Sequence, residues 1–342
     1  MERDVQLDGY RALAMMYIVC IIHPVLWYHI HMDGFDPTML FEMPVIFYIA
    51  GASQTCTRRR TLSETIKNRA LRVLLPYYIY IFVVLLLMGM ATFMQLPFEH
   101  STLDIRQLGT TGIIKLLLTG GSTHIPYMGY TWFISTYFII ACSLPLQQRI
   151  MRHISGKYYL LIAIGSFGAW KATGLTSPEN IVENVLGFNI FYLLGYLTYK
   201  QTKTTYWGLA LSATVLVGLL ISDAAIPMAN HKFPSDMVFI AYHMCTLYML
   251  AWLMSHIRIR PGALINLWNR RGYTIYLYQS VSHYLVYGLM QAWCSGICSQ
   301  PLLFILSALL AFASATALSY ITYPANSQSP VHGAPILLQR VS

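Results

Sequence analysis

Apolar blocks long enough to cross a bilayer alternate with short polar or basic stretches along this chain. A spanning helix needs about 20 largely apolar residues. Blocks of that kind cover roughly 9–31, 38–56, 73–95, 129–149, 158–173, 182–199, 205–222, 236–255, 272–293 and 301–322, the fifth being the shortest. The pattern predicts an all-α fold, a polytopic membrane bundle of about ten transmembrane helices. The membrane domain covers 1–323, and 324–342 reads as a tail. "TTGIIKLLLT", residues 110–119, is too short to span and predicts an interfacial or re-entrant helix.

Composition agrees with the pattern. Of 342 residues, 56% are hydrophobic and 10% are charged, against about 25% charged in soluble domains. The net charge of +9 does not point to nucleic acid, because the basic residues sit between apolar blocks. Seventeen Lys and Arg fall on one side of the expected membrane, among them Arg58, Arg59, Arg60, Lys67, Arg69 and Arg72; four, Arg106, Lys115, Lys171 and Lys232, fall on the other. By the positive-inside rule this predicts a multi-pass cell-membrane protein with both termini and the 324–342 tail in the cytoplasm. Of six cysteines, Cys294 and Cys298 lie close together in a predicted outer loop, where a disulfide is expected. No histidine or cysteine spacing suggests a metal site.

The polar residues inside the apolar blocks carry the candidate chemistry. In the first block, "LDGYRALAMMYIVCIIHPVLWYHIH", Arg11 stands at the cytoplasmic end and His23 twelve residues on, about 18 Å further across. Intramembrane ionisable groups usually face a bundle interior or a water-filled cavity. Pro24 removes the hydrogen bond to the Cys20 carbonyl, so irregular backbone is expected just before His23. Glu42, at the start of the second block, is either interfacial or buried. Gly51 allows close helix contact. Trp132 and Ser135 open the fourth block on the outer side. Asp236 and His243 share the eighth block, where His243 reads as a packing residue. Gln279 and His283 are i,i+4 neighbours on one helix face. Arg69 and Arg72 mark the cytoplasmic mouth of the third helix, where arginine suits a phosphate-bearing ligand.

Five segments in order resemble the acyltransferase 3 family of integral membrane O-acyltransferases. "LDGYRALAMMYIVCIIH" is similar to its first helix, with an Arg ahead of an essential His. "FEMPVIFYIAGAS", "RRRTLSETIKNRALRVLLPYY", "YTWFISTYFIIACSLP" and "YTIYLYQSVSH" are similar to its second-helix, basic-loop, Trp-Phe and late Tyr-Leu-His segments. The resemblance covers nearly the whole chain, and Met43-Pro44 is most similar to the branch that acetylates sugar hydroxyls. Three positions depart from the pattern. Eleven residues separate Arg11 from His23, instead of ten. Tyr137 stands where some branches carry Glu, and Gln279 where many carry His. On a regular helix eleven steps return to within 20° of the same face, whereas twelve land 120° away. A π-bulge near Cys20 would absorb the extra residue.

The resemblance implies a membrane acyltransferase domain over 1–323. It implies transfer of an acyl group, usually acetyl, from cytoplasmic acyl-CoA to a hydroxyl of an extracytoplasmic glycan or related acceptor, with no metal. His23 is then the general base, or it becomes acylated and passes the group on. Arg11, the second catalytic residue in this reading, would position the acetyl-CoA phosphates or hold Asp8 at the helix start, and Arg69 and Arg72 would help bind the donor at the cytoplasmic mouth. Glu42, Trp132 and Ser135 would line the acceptor side. The alternative reading is a transporter or exporter of a glycan or small polar substrate, with His23 and Glu42 in a proton relay. A structural or sensor subunit is a third.

Overall fold

The structure, a computed structural model, describes residues 4–27, 41–57, 60–93, 105–121, 128–175, 180–199, 202–221, 235–260, 262–294 and 300–322. The fold is helical throughout, with no strand among the described residues. Its helices are α1 (Val5–Tyr17), α2 (His23–Trp27), α3 (Glu42–Thr55), α4 (Leu62–Arg69), α5 (Leu75–Phe93), α6 (Ile105–Thr119), α7 (Phe133–Ile150), α8 (Gly156–Ala172), α9 (Ile181–Thr198), α10 (Thr202–Ile221), α11 (Met237–His256), α12 (Ala263–Cys294) and α13 (Gln300–Thr322). Two π-helical segments, Ile18–Ile22 and Ala70–Leu74, make α1–α2 and α4–α5 continuous rods.

Each apolar block seen in the sequence has most of its described residues on a helix. Among the described residues, six stretches are long and apolar enough to cross a membrane, including Val5–Val25, Leu62–Leu87 and Ile181–Thr198. The short 110–119 segment is an apolar helix of about three turns set off by Gly109, whose φ of 57° breaks α6. The helix starts follow the capping rules. Asp4 accepts from the Leu7 N–H, Asp236 from Phe239 N–H and Asn180 from Val182 N–H, while Thr61 and Glu64 form a reciprocal capping box. The Asp236 carboxylate is thus used at a helix start. His243 is fully buried, its Nδ1 2.7 Å from the Phe239 carbonyl and its ring packed against Phe239, so it is a packing residue as expected.

Two contacts organise the bundle. The first is the α3–α9 crossing, where backbone meets backbone. A Cβ on Gly51 would lie 1.8 Å from the Tyr192 carbonyl oxygen, and one on Gly195 would lie 1.9 Å from that of Tyr48. Only glycine at both positions allows this approach, the small-residue packing of membrane helices. The second is the pairing of α1 with α12. Met15 packs on Gly272 and His23 on Tyr276, while Gly9 meets Ile259 in the segment just ahead of α12. Residue numbers rise together, so the two helices run parallel. Outward-facing apolar side chains such as Phe82, Trp207, Leu118 and Ile221 remain exposed, as a lipid-facing surface requires.

Candidate active site

His23 is the first residue of α2, directly after the π segment, and is 7% exposed. Its backbone N–H bonds to the Ile18 carbonyl, five residues back. The expected irregularity at Cys20 is therefore a π turn. Pro24 supplies the reason. It cannot donate to the Cys20 carbonyl, and its ring crowds the preceding turn, which a wider turn relieves. One residue is absorbed, so the phase from Arg11 to His23 is that of about eleven regular steps.

The second π segment repeats this device. The Leu75 N–H bonds to the Ala70 carbonyl, and Pro76 follows at once, as Pro24 follows His23. The sequence reading did not anticipate it, although the same signal, a proline early in a spanning block, was present. It lies directly beside Arg69 and contains Arg72.

Around His23 the side chains are mostly aromatic with polar tips. The rings of Tyr130 and Tyr276 each lie 5.5 Å from the imidazole, centroid to centroid. Tyr276 donates to the Tyr130 carbonyl at 3.2 Å. The Tyr130 hydroxyl donates to the Leu277 carbonyl at 2.7 Å and lies 3.0 Å from Ser280 Oγ, which in turn is 2.8 Å from the Tyr80 hydroxyl. This network ties the turn before α7 to α5 and α12 and holds the walls of the His23 site. Tyr80, Tyr130, Tyr276 and Ser280 were not singled out from the sequence, since tyrosine is common throughout this chain and nothing local marks these.

Glu42 is 4% exposed in the first turn of α3, so its side chain is buried within the protein. Its neighbour Phe41 stacks on Tyr17 with ring centroids 5.0 Å apart, which sets the start of α3 against the end of α1, just ahead of the π turn. The other predicted residues lie elsewhere. Arg11 is 39% exposed in its side chain and donates to Asp8 at 2.9 Å. It holds the start of α1, one of its two anticipated roles. Trp132 turns toward α9, its ring 5.0 Å from Phe188. Ser135 is buried and donates to the Trp132 carbonyl at 3.2 Å.

Arg69 and Arg72 form a separate basic group. Arg69 donates to the Tyr137 hydroxyl at 2.9 Å, with its guanidinium 5.8 Å from the centre of that ring. Tyr137, one of the three departures, thus anchors Arg69 without neutralising it. Arg72 follows Arg69 by three residues, one turn on along the same continuous rod. Among the described residues no carboxylate pairs with Arg60, Arg69 or Arg72. Arg60 and Arg69 also line a small cavity with Gln54, Thr57 and Gln148. A cluster of uncompensated guanidinium groups is suited to phosphate.

Three other expectations have different outcomes. No group of three or more His, Cys, Asp or Glu side chains able to hold a metal occurs among the described residues. Cys298 and the tail 324–342 lie outside the described residues, and with them the expected disulfide to Cys294. Lys171, counted as an outer-loop residue, forms a 2.6 Å ion pair with Glu183, which is 1% exposed.

Comparison with curated proteins and with solved structures finds no significant match. The family model described as an acyltransferase domain matches residues 4–324, nearly the whole chain and all of the helices above. This multi-pass helical membrane protein belongs to the acyltransferase 3 family.

Proposed function

We propose that the protein moves an acyl group, acetyl in the first instance, from cytoplasmic acyl-CoA to a hydroxyl of an extracytoplasmic glycan or related acceptor. The observation that carries this reading is the placement of His23. It is a buried imidazole, on a helix whose register is adjusted at that point, walled by Tyr130 and Tyr276. A thioester is already activated, whereas an alcohol is a weak nucleophile that needs a base working near neutral pH.

In one route His23 takes the proton of the acceptor hydroxyl. The oxygen forms a bond to the acyl carbon, the carbon–sulfur bond breaks, and the CoA thiolate receives the proton. In the other, an imidazole nitrogen attacks the thioester and expels the thiolate; the acceptor oxygen then bonds to the acyl carbon, the carbon–nitrogen bond breaks, and the released imidazole takes up the hydroxyl proton. Arg60, Arg69 and Arg72 supply the cationic mouth for the donor's phosphates, Arg11 fixes the start of the helix through Asp8, and Glu42, Trp132 and Ser135 remain the residues assigned to the acceptor in this reading. The same reading has ten membrane crossings, both termini in the cytoplasm, an acyltransferase domain over 1–323 and a cytoplasmic tail over 324–342.

The test is incubation of the purified full-length protein in detergent with radiolabelled acetyl-CoA. Thioester loss that depends on His23, with label in an added glycan or on the protein, is expected. Flux of a polar substrate into liposomes with acetyl-CoA untouched would replace this reading with the transporter.

A further inference from the structure

Gln279 has no exposed surface, and among the described residues neither its Nε2 nor its Oε1 meets a hydrogen-bond partner. A buried amide in that state costs stability, and native proteins keep few. Its neighbour Ser280 is engaged with Tyr80 and Tyr130.

The position of this amide explains its retention. Gly272 of α12 lies against Met15 of α1, a Cβ there being 3.6 Å from that of Met15. Gln279 follows Gly272 by seven residues, so it lies about 10 Å further along on nearly the same face. His23 follows Met15 by eight residues, about 12 Å along the parallel helix. Gln279 therefore stands on the face of α12 that meets the first helix, at the depth of His23. It is also one turn beyond Tyr276, whose ring touches the imidazole.

We propose that Gln279 Nε2–H donates to the carbonyl oxygen of the acyl group bound beside His23. The inference rests on the acyl-transfer reading. When the nucleophile bonds to the acyl carbon, the carbonyl electron pair moves onto oxygen, and the hydrogen bond to Nε2–H strengthens. When the pair returns, the carbon–sulfur bond breaks and the thiolate leaves. A neutral amide holds no proton to exchange, so Gln279 serves charge stabilisation while proton transfer stays with His23. In a water-excluded site a fixed donor of this kind acts mainly on the transition state.

The test uses the full-length protein with acetyl-CoA as probe and compares Gln279→Met with Gln279→His. Methionine keeps length and removes the unsatisfied amide. The melting temperature is expected to hold or rise, kcat for His23-dependent thioester loss to fall about 100-fold, and KM for acetyl-CoA to stay nearly constant. Histidine keeps an N–H donor and is expected to retain more activity than methionine. Unchanged kcat in Gln279→Met overturns the inference alone. So does a fall in melting temperature and kcat that histidine does not relieve, which marks a packing role. If the wild-type protein shows no His23-dependent thioester loss, the acyl-transfer reading fails, and the carbonyl contact fails with it.

Discussion

His23 and Arg69 divide the chemistry at the residue scale, and kinetics separates them. His23→Ala removes a base or nucleophile, so kcat is expected to fall by about 100-fold or more while the protein still folds and inserts. Near-normal turnover in that variant would return His23 to a packing role. Arg69→Ala removes a charged hydrogen-bond donor, worth about 1.5–3 kcal/mol. Its signature is a roughly 10- to 100-fold rise in KM for acetyl-CoA, with kcat changed far less. Tyr137→Phe should give a weaker version of the same effect, because it loosens Arg69 without removing the charge. A pure kcat loss in Arg69→Ala would place that residue outside donor binding.

At the scale of the elements, the π turn and the α3–α9 crossing each make a demand on sequence. Ile21 lies in the π segment and is 43% exposed. Deleting it removes the surplus residue from the lipid-facing side and lets a regular helix carry His23 in phase with Arg11. That variant is expected to keep part of its activity. Inserting an alanine after Ile21 turns His23 about 100° away from Tyr276 and abolishes activity. Equal loss in the two variants would show that the register of this helix does not govern the site. At the crossing, Gly51→Ala or Gly195→Ala drives a methyl into a backbone carbonyl, which no rotamer relieves. Each is expected to cost about 3 kcal/mol or more, read as a lower melting temperature in detergent. The double variant should cost less than the sum, since one methyl already parts the helices for the second.

For the whole molecule the prediction is orientation. With native cysteines replaced, a single cysteine at Thr61 should react only from the cytoplasmic face and one at Pro234 only from outside. The reverse pattern would invert the topology. In the native protein, free-thiol titration under denaturing, non-reducing conditions should find four thiols if Cys294 and Cys298 are bridged; six would exclude the bridge.

Much of this molecule is legible in its sequence because the bilayer is so demanding a solvent. Hydrocarbon accepts only helices and closed barrels, and continuous apolar blocks of about 20 residues fit helices alone, so block length and the low charge content determine the helical membrane class directly. The segment order from "LDGYR" to "YTIYLYQ" carries the family, and Pro24 with one residue too many before His23 points to irregular backbone near Cys20, which the structure shows to be a π turn. Local chemistry does not reach further than this. Whether Glu42 is buried depends on what α3 packs against, and that Trp132 turns to Phe188 while Tyr130, two residues earlier, turns to His23 depends on the turn leading into α7. The Tyr80–Tyr130–Ser280 network and the Arg69–Tyr137 bond join residues 50 to 200 and 68 positions apart. The unsatisfied amide of Gln279 is invisible to any sequence window, because satisfaction is a property of the surroundings. Spacing and hydropathy act within one helix, but partners come from several, and only their packing chose which buried polar groups meet.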